Sequence, residues 1–130
     1  MADLMCQDLT FAISGAVMDV HRELGPGFLE SIYQAAREVE LRRREIAFES
    51  QRRIAVAYRD VSIGDHVLDL VVHGQVVVEL KAVKDLNDQH RAQVLSYLKA
   101  SRLPVGLLIN FAKLSLEHKR VVLTDGRRSS

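Results

Sequence analysis

Between Leu9 and Leu24 the apolar residues Ile13, Val17, Val20 and Leu24 recur at steps of four, three and four, the period of an amphipathic helix. Gly25-Pro26-Gly27 ends it, because proline cannot extend a helix and disfavours helical geometry in the residue before it. The spacing predicts a second helix from Phe28 to Arg44, with Leu29, Ile32, Ala36 and Val39 as its apolar stripe and Glu30, Tyr33 and Arg37 on an adjoining face. The β-branched run Ile54-Ala55-Val56-Ala57-Tyr58 then predicts a strand ending near Asp60.

The strongest strand signal is Val67–Val72, followed by His73-Gly74-Gln75 and Val76–Ala82, which together read as a hairpin. Both strands are apolar at both parities, so they are expected to be covered on both faces, with helices on at least one side. Asn87 or Asp88 can cap a helix running to about Ser101, and Val105–Phe111 reads as a buried strand. A strand, a crossover helix and a further strand form a right-handed parallel unit, so Val105–Phe111 is expected to run parallel to Val76–Ala82. Lys119–Thr124 is expected as a last strand and Asp125–Ser130 as a frayed tail.

Composition narrows the class. With 130 residues, 48% of them hydrophobic and 27% charged, the chain fits one water-soluble domain spanning residues 1–130 that builds a core without disulfides or a structural metal. The lone Cys6 has no intramolecular partner, and Met1-Ala2-Asp3 lacks the basic start of a secretory signal, so a reducing, cytoplasmic setting is expected. Every apolar run falls short of the roughly 20 residues that cross a bilayer, so no membrane partner is expected. Eighteen Lys and Arg against seventeen Asp and Glu leave a net charge of +1, so any contact with nucleic acid must be local.

A three-residue hairpin loop about Gly74 sets Asp69 opposite Glu79, whereas a two-residue Gly74-Gln75 turn opposes Asp69 to Leu80. In the first register two carboxylates stand with Cβ atoms about 4.5–5.5 Å apart, a repulsion that a sheet avoids unless something compensates. Lys81 points to the same face as Glu79 and supplies one positive charge. A divalent cation would supply two, and Mg²⁺ takes one or two carboxylates together with waters and phosphate oxygens. That set suits phosphodiester hydrolysis, with Asp69 and Glu79 holding the metal and Lys81 orienting the attacking water or stabilising charge on phosphorus. The same residues also read as a partly buried salt-bridge cluster, and their spacing does not choose between the two. Downstream, His90, Gln93 and Tyr97 share one helix face and could look into one cleft.

Asp69 followed by Glu79-Leu80-Lys81 resembles the metal and catalytic motif of the PD-(D/E)XK nuclease superfamily, with Leu68 where the superfamily carries proline. Gly27-Phe28-Leu29-Glu30-Ser31-Ile32-Tyr33 resembles the signature of the GxxExxY family within it, and the similarity extends from about Ile13 to Val122. The resemblance implies an α/β, restriction-endonuclease-like αβββαβ core with a mixed sheet flanked by helices. It implies a hydrolase, a nuclease that uses Mg²⁺ or Mn²⁺ and acts on nucleic acid, DNA first. It also implies that Glu30 lies near the metal, although an acid in a first helical turn equally serves the helix dipole. Gln93-Val94-Leu95-Ser96-Tyr97 resembles the Q-x-x-x-Y motif of RecB-like nucleases. Gln93 would then hydrogen-bond a metal ligand or water, and Tyr97 a phosphate or backbone amide.

Tyr33, His90 and Arg91 are further candidates for substrate contact, and His21 is a weaker one. Tyr33 equally reads as core packing, His90 and His21 as structural donors, and His73 as turn surface. Arg42-Arg43-Arg44 and Arg52-Arg53, with Lys84, Arg91 and Lys99, could track a phosphate backbone, while a basic helix end also complements the helix dipole. Small size and near-zero net charge motivate an alternative, a non-catalytic nucleic-acid-binding or protein-assembly module that keeps the nuclease fold. A plain α/β domain with a structural salt-bridge cluster explains the periodicities but not the coincidence of motifs. An exposed edge strand such as Lys119–Thr124 could pair across a homodimer.

Overall fold

Helix α1, Gln7–Leu24, buries Ile13, Ala16, Val17 and Val20, the face that the periodicity predicts. The protein is described here from a computed structural model over residues 6–123, so Thr124 and the predicted tail lie outside the described residues. Past α1 the chain turns at Gly25, whose N–H donates to the His21 carbonyl over 2.7 Å, and at Gly27, whose φ of 107° suits a residue without a Cβ. Helix α2 then runs Glu30–Arg43, shorter than predicted at both ends.

The buried face of α2 is Tyr33, Arg37 and Leu41, which corrects the predicted stripe. Leu29 is 74% exposed, Val39 54%, and Ile32 is exposed as well. The longer side chains win the inward positions: the Tyr33 ring packs 4.4 Å from that of Phe111, and Arg37 is buried with its aliphatic stem. Arg44 ties the end of this helix to α1 by pairing with both Glu40 and Asp19.

The strands are β1 Phe48–Tyr58, β2 Val61–Val72, β3 Val76–Lys81, β4 Val105–Asn110 and β5 Glu117–Val122, with helix α3, Asp88–Ser101, between β3 and β4. They form one sheet in the order β1-β2-β3-β4-β5. Neighbours are antiparallel except β3 and β4, which run parallel through the α3 crossover as expected. β1 and β2 are longer than predicted: β1 begins at Phe48, ahead of the predicted Ile54–Tyr58, and β2 begins at Val61, ahead of the predicted Val67, in a segment that pairs with β1 through the backbone while exposing Val61 and Ile63. β5 starts and ends two residues earlier than predicted.

Helices cover both faces of the sheet. On one, residues of α1 and α2 pack against Leu70, Val72, Val76, Val78 and Leu80. On the other, Val94, Tyr97 and Leu98 of α3 pack against Val71, Val77 and Leu108. The α3 approach is close at Gly106, where an added Cβ would stand 2.5 Å from Val94 Cγ1. The architecture is α/β with a mixed sheet, consistent with a restriction-endonuclease-like fold. Among the described residues no helix is long and apolar enough to cross a membrane.

Candidate active site

The hairpin between β2 and β3 pairs Leu70 with Val78, Val71 with Val77 and Val72 with Val76, the register of a three-residue loop, which carries Asp69 opposite Glu79. There the ladder stops. On the other flank of β2, Ser50 pairs with Leu70 and Arg52 with Leu68, while Gln51, at a φ of 53°, and Asp69 pair with nothing between them. Face alternation also breaks at this point: Leu68 and Val71, three residues apart, belong to the same cluster. Asp69 therefore sits at a kink where β2 is released by both neighbours, and the left-handed backbone of Gln51 is a local strain of the kind that accompanies functional positions.

The two carboxylates replace the missing ladder bonds. The Asp69 N–H donates to Glu79 Oε1 over 3.1 Å, and the Leu80 N–H to Asp69 Oδ2 over 3.4 Å. Glu79 is only 3% exposed, and burial, followed by the charge of Asp69, pushes its pKa up to about 8. Lys81 lies half-buried at the end of β3, on the parity of Glu79, and its charge favours ionisation of both Glu79 and Glu30.

Helix α2 points its first turn at this fork. Glu30 is its first residue, and partial burial, followed by Asp69, raises the carboxyl pKa. Seven residues on, Arg37 is fully buried, and its three side-chain nitrogens make no hydrogen bond. Burial lowers its pKa, opposed by the charges of Asp69, Glu79, Glu38 and Glu30. From the opposite face α3 contributes Tyr97, whose ring meets that of His66 edge-on at 4.6 Å. Burial and then the negative Glu79 and Asp69 push the Tyr97 hydroxyl up to about 12.

Asp69, Glu79, Lys81, Glu30 and Tyr97 are thus gathered around one fork. The remaining candidates are exposed or have other partners. Gln93 is exposed on α3, and its carbonyl accepts from Ser96 Oγ. His90 closes the capping box of α3, its Nδ1 accepting from the Asn87 N–H while Asn87 Oδ1 accepts from the His90 N–H. Arg91 is exposed on the first turn of the same helix. The Tyr33 hydroxyl donates to the Gly25 carbonyl over 2.6 Å and accepts from the Phe28 N–H over 3.1 Å, so it fastens the loop before α2. His21 meets the Lys113 carbonyl at 2.8 Å, and His73 is an exposed turn residue. The basic groups are largely paired: Arg42 with Glu38, Arg43 with Glu40, Arg52 with Glu49 and Arg53 with Asp65.

Three contributors carry little sequence signal. Arg37 was legible only as a neighbour of Glu30 on the helix, since charge ordinarily argues for solvent. His66 stands in a polar stretch. Asn110 ends an otherwise apolar strand, and that exception is the signal: fully buried, it accepts from the N–H groups of Val83 and Ala112 and donates to the Val83 carbonyl and Glu117. It pins the segment that leaves β3 directly after Lys81.

The donor set fits a divalent cation of oxygen-ligand preference. One oxygen of Asp69 and one of Glu79 are held by backbone N–H groups, so each carboxylate is oriented with its second oxygen left over. Among the described residues no three His, Cys, Asp or Glu side chains form a ready-made metal-holding group. A cation here would take two protein carboxylates and complete its shell with water and substrate oxygens, which Mg²⁺ tolerates.

The family model described as the PD-(D/E)XK nuclease superfamily matches residues 7–121, most of the chain. The solved structure described as that of SSO0001 superimposes with a TM-score of 0.59 at 14% identity, a likeness of fold alone, covering 75% of this chain. The aligned region spans 52% of that protein's chain. No curated protein matches this chain.

Proposed function

Because this chain belongs to the PD-(D/E)XK nuclease superfamily, we propose that it hydrolyses phosphodiester bonds of nucleic acid, DNA first, with Mg²⁺ or Mn²⁺ held by Asp69 and Glu79 and approached by Glu30. The observation that carries the reading is the interrupted ladder at Asp69, where the Glu79 carboxylate takes the Asp69 N–H and the Asp69 carboxylate the Leu80 N–H in place of ladder bonds. Two acids opposed at this interruption, one of them buried, repel each other, and a cation held between them would offset that cost. The Gly27–Tyr33 segment supports placing the chain in the GxxExxY branch, and the unpaired Cys6 suits the reducing interior of a cell.

The chain's own residues divide the work. Asp69 and Glu79 would bind through the oxygens left over, their carboxylates already oriented by N–H groups on the other oxygen, so little order is left to impose at the moment of reaction. Lys81 holds the attacking water or stabilises the charge that builds on phosphorus. Tyr97, whose hydroxyl keeps its proton across the physiological range, donates to a phosphate oxygen or orients a ligand. Gln93 and Arg91, exposed on α3, meet the flanking backbone of the substrate. A bound cation supplies Lewis-acid polarisation of the phosphodiester and a water of lowered pKa.

The test is cleavage of linear duplex and single-stranded DNA and of RNA with Mg²⁺ or Mn²⁺, comparing the native protein with Asp69→Asn, Glu79→Gln and Lys81→Ala. Each variant is expected to lose at least about a hundredfold in rate while keeping the native circular dichroism. Nucleic-acid binding that survives all three substitutions, without cleavage by the native protein, would instead identify a binding module that keeps the fold.

A further inference from the structure

The most anomalous side chain in the described molecule is Arg37. Its guanidinium is fully buried, all three nitrogens lack a hydrogen-bond partner, and the charges around it are those of Asp69, Glu79, Glu38 and Glu30. A charge held this way is costly unless its field is used, because its desolvation is not offset by hydrogen bonds. Glu30, Tyr33 and Arg37 recur at three- and four-residue steps on α2, so the element that brings Glu30 to the fork also brings this cation behind it.

Resting on the nuclease reading above, we propose that Arg37 is the built-in counter-charge of the acidic fork, a positioning residue that weakens resting metal affinity and so couples cation binding to the substrate phosphate. Formal charges of the ionised form that binds a cation show the effect. With Glu38 set against Arg42, Glu30, Asp69 and Glu79 carry three negative charges, and Arg37 and Lys81 two positive, leaving one negative in excess. One divalent cation overshoots to a single positive charge, which one phosphodiester cancels. Without Arg37 the excess is two, and a divalent cation alone satisfies it. The unpaired guanidinium is thus the group that makes the cation need its substrate, since like charge near a cation site opposes binding through a poorly screened interior.

The experiment measures Mn²⁺ affinity without nucleic acid, by electron paramagnetic resonance of the free ion, for the native protein, Arg37→Met and Arg37→Lys. Methionine fills much of the same volume without charge, and lysine keeps the charge. Arg37→Met is expected to bind Mn²⁺ at least about tenfold more tightly, with Arg37→Lys close to native. A purely structural role for Arg37 would not produce that ordering. Equal or weaker binding by a folded Arg37→Met overturns the proposal and leaves the nuclease reading standing, whereas no Mn²⁺ binding by either the native protein or a folded Arg37→Met removes both. Should Arg37→Met fail to fold, the native protein decides: the Arg37 Nε–H resonance is expected to shift as Mg²⁺ is added, and a resonance that stays fixed while Mg²⁺ binds overturns the proposal.

Discussion

Glu79 shows at the scale of one residue what the fork does to its acids. A carboxyl 3% exposed beside a second acid is worth more to the fold neutral than charged, which is why its pKa rises to about 8 from an ordinary 4.5. The sign of the pH dependence follows. Between those two values the folded state keeps a proton that the unfolded chain has released, so ionisation opposes folding and stability falls as pH rises through the window. With metal removed by chelator, the unfolding free energy of the native protein is expected to drop by a few kcal/mol between about pH 5 and pH 8 and then level off. Glu79→Gln, which keeps the oxygen that accepts the Asp69 N–H and cannot ionise, is expected to flatten that slope. Urea titrations at each pH measure both, and an unchanged slope in the variant would assign the pH dependence to another group.

Helix α2 owes its position to a side chain that spans its own N-terminus. The Tyr33 hydroxyl bridges the Gly25 carbonyl and the Phe28 N–H while its ring packs on Phe111, so the Gly25–Phe28 turn, and with it Glu30, is held from inside the core. Tyr33→Phe keeps the ring and loses both bonds. It is expected to cost about 1–2 kcal/mol in urea unfolding, and an unchanged midpoint would show the turn to be held by its glycines alone. At this scale the sequence was legible wherever burial and residue type agree. The β2–β3 hairpin announced itself through valines at both parities, and its three-residue loop carried the opposition of Asp69 to Glu79. It was misleading on α2, where the apolar Leu29, Ile32 and Val39 face outward and Arg37 faces in, because hydrophobic periodicity assumes that charge seeks solvent. It was silent on residues 48–53 of β1 and 61–66 of β2, whose pairing rests on backbone bonds that no side-chain pattern reports.

For the molecule as a whole the net charge is only +1, and among the described residues Arg42, Arg43, Arg52 and Arg53 are each paired with a neighbouring acid, so general attraction of nucleic acid is weak. The fork stands between helices on opposite faces of the sheet, so attraction is concentrated at one end of the sheet instead of spread over a face. Binding that depends on many lysine and arginine contacts to phosphate is steep in salt, each neutralised phosphate adding about 0.9 to the logarithmic slope. Among the described residues Lys84, Arg91 and Lys99 are exposed and offer a few such contacts. The logarithm of DNA affinity against the logarithm of salt is therefore expected to fall with a slope no steeper than about −3. Removing the divalent cation at constant salt is expected to weaken binding by more than about tenfold, because the two acids then face the phosphate uncompensated. Fluorescence anisotropy with a short, hydrolysis-resistant duplex measures both quantities. A slope near −8 with no response to chelator would mean that a general basic surface, and not the Asp69–Glu79 fork, holds the nucleic acid.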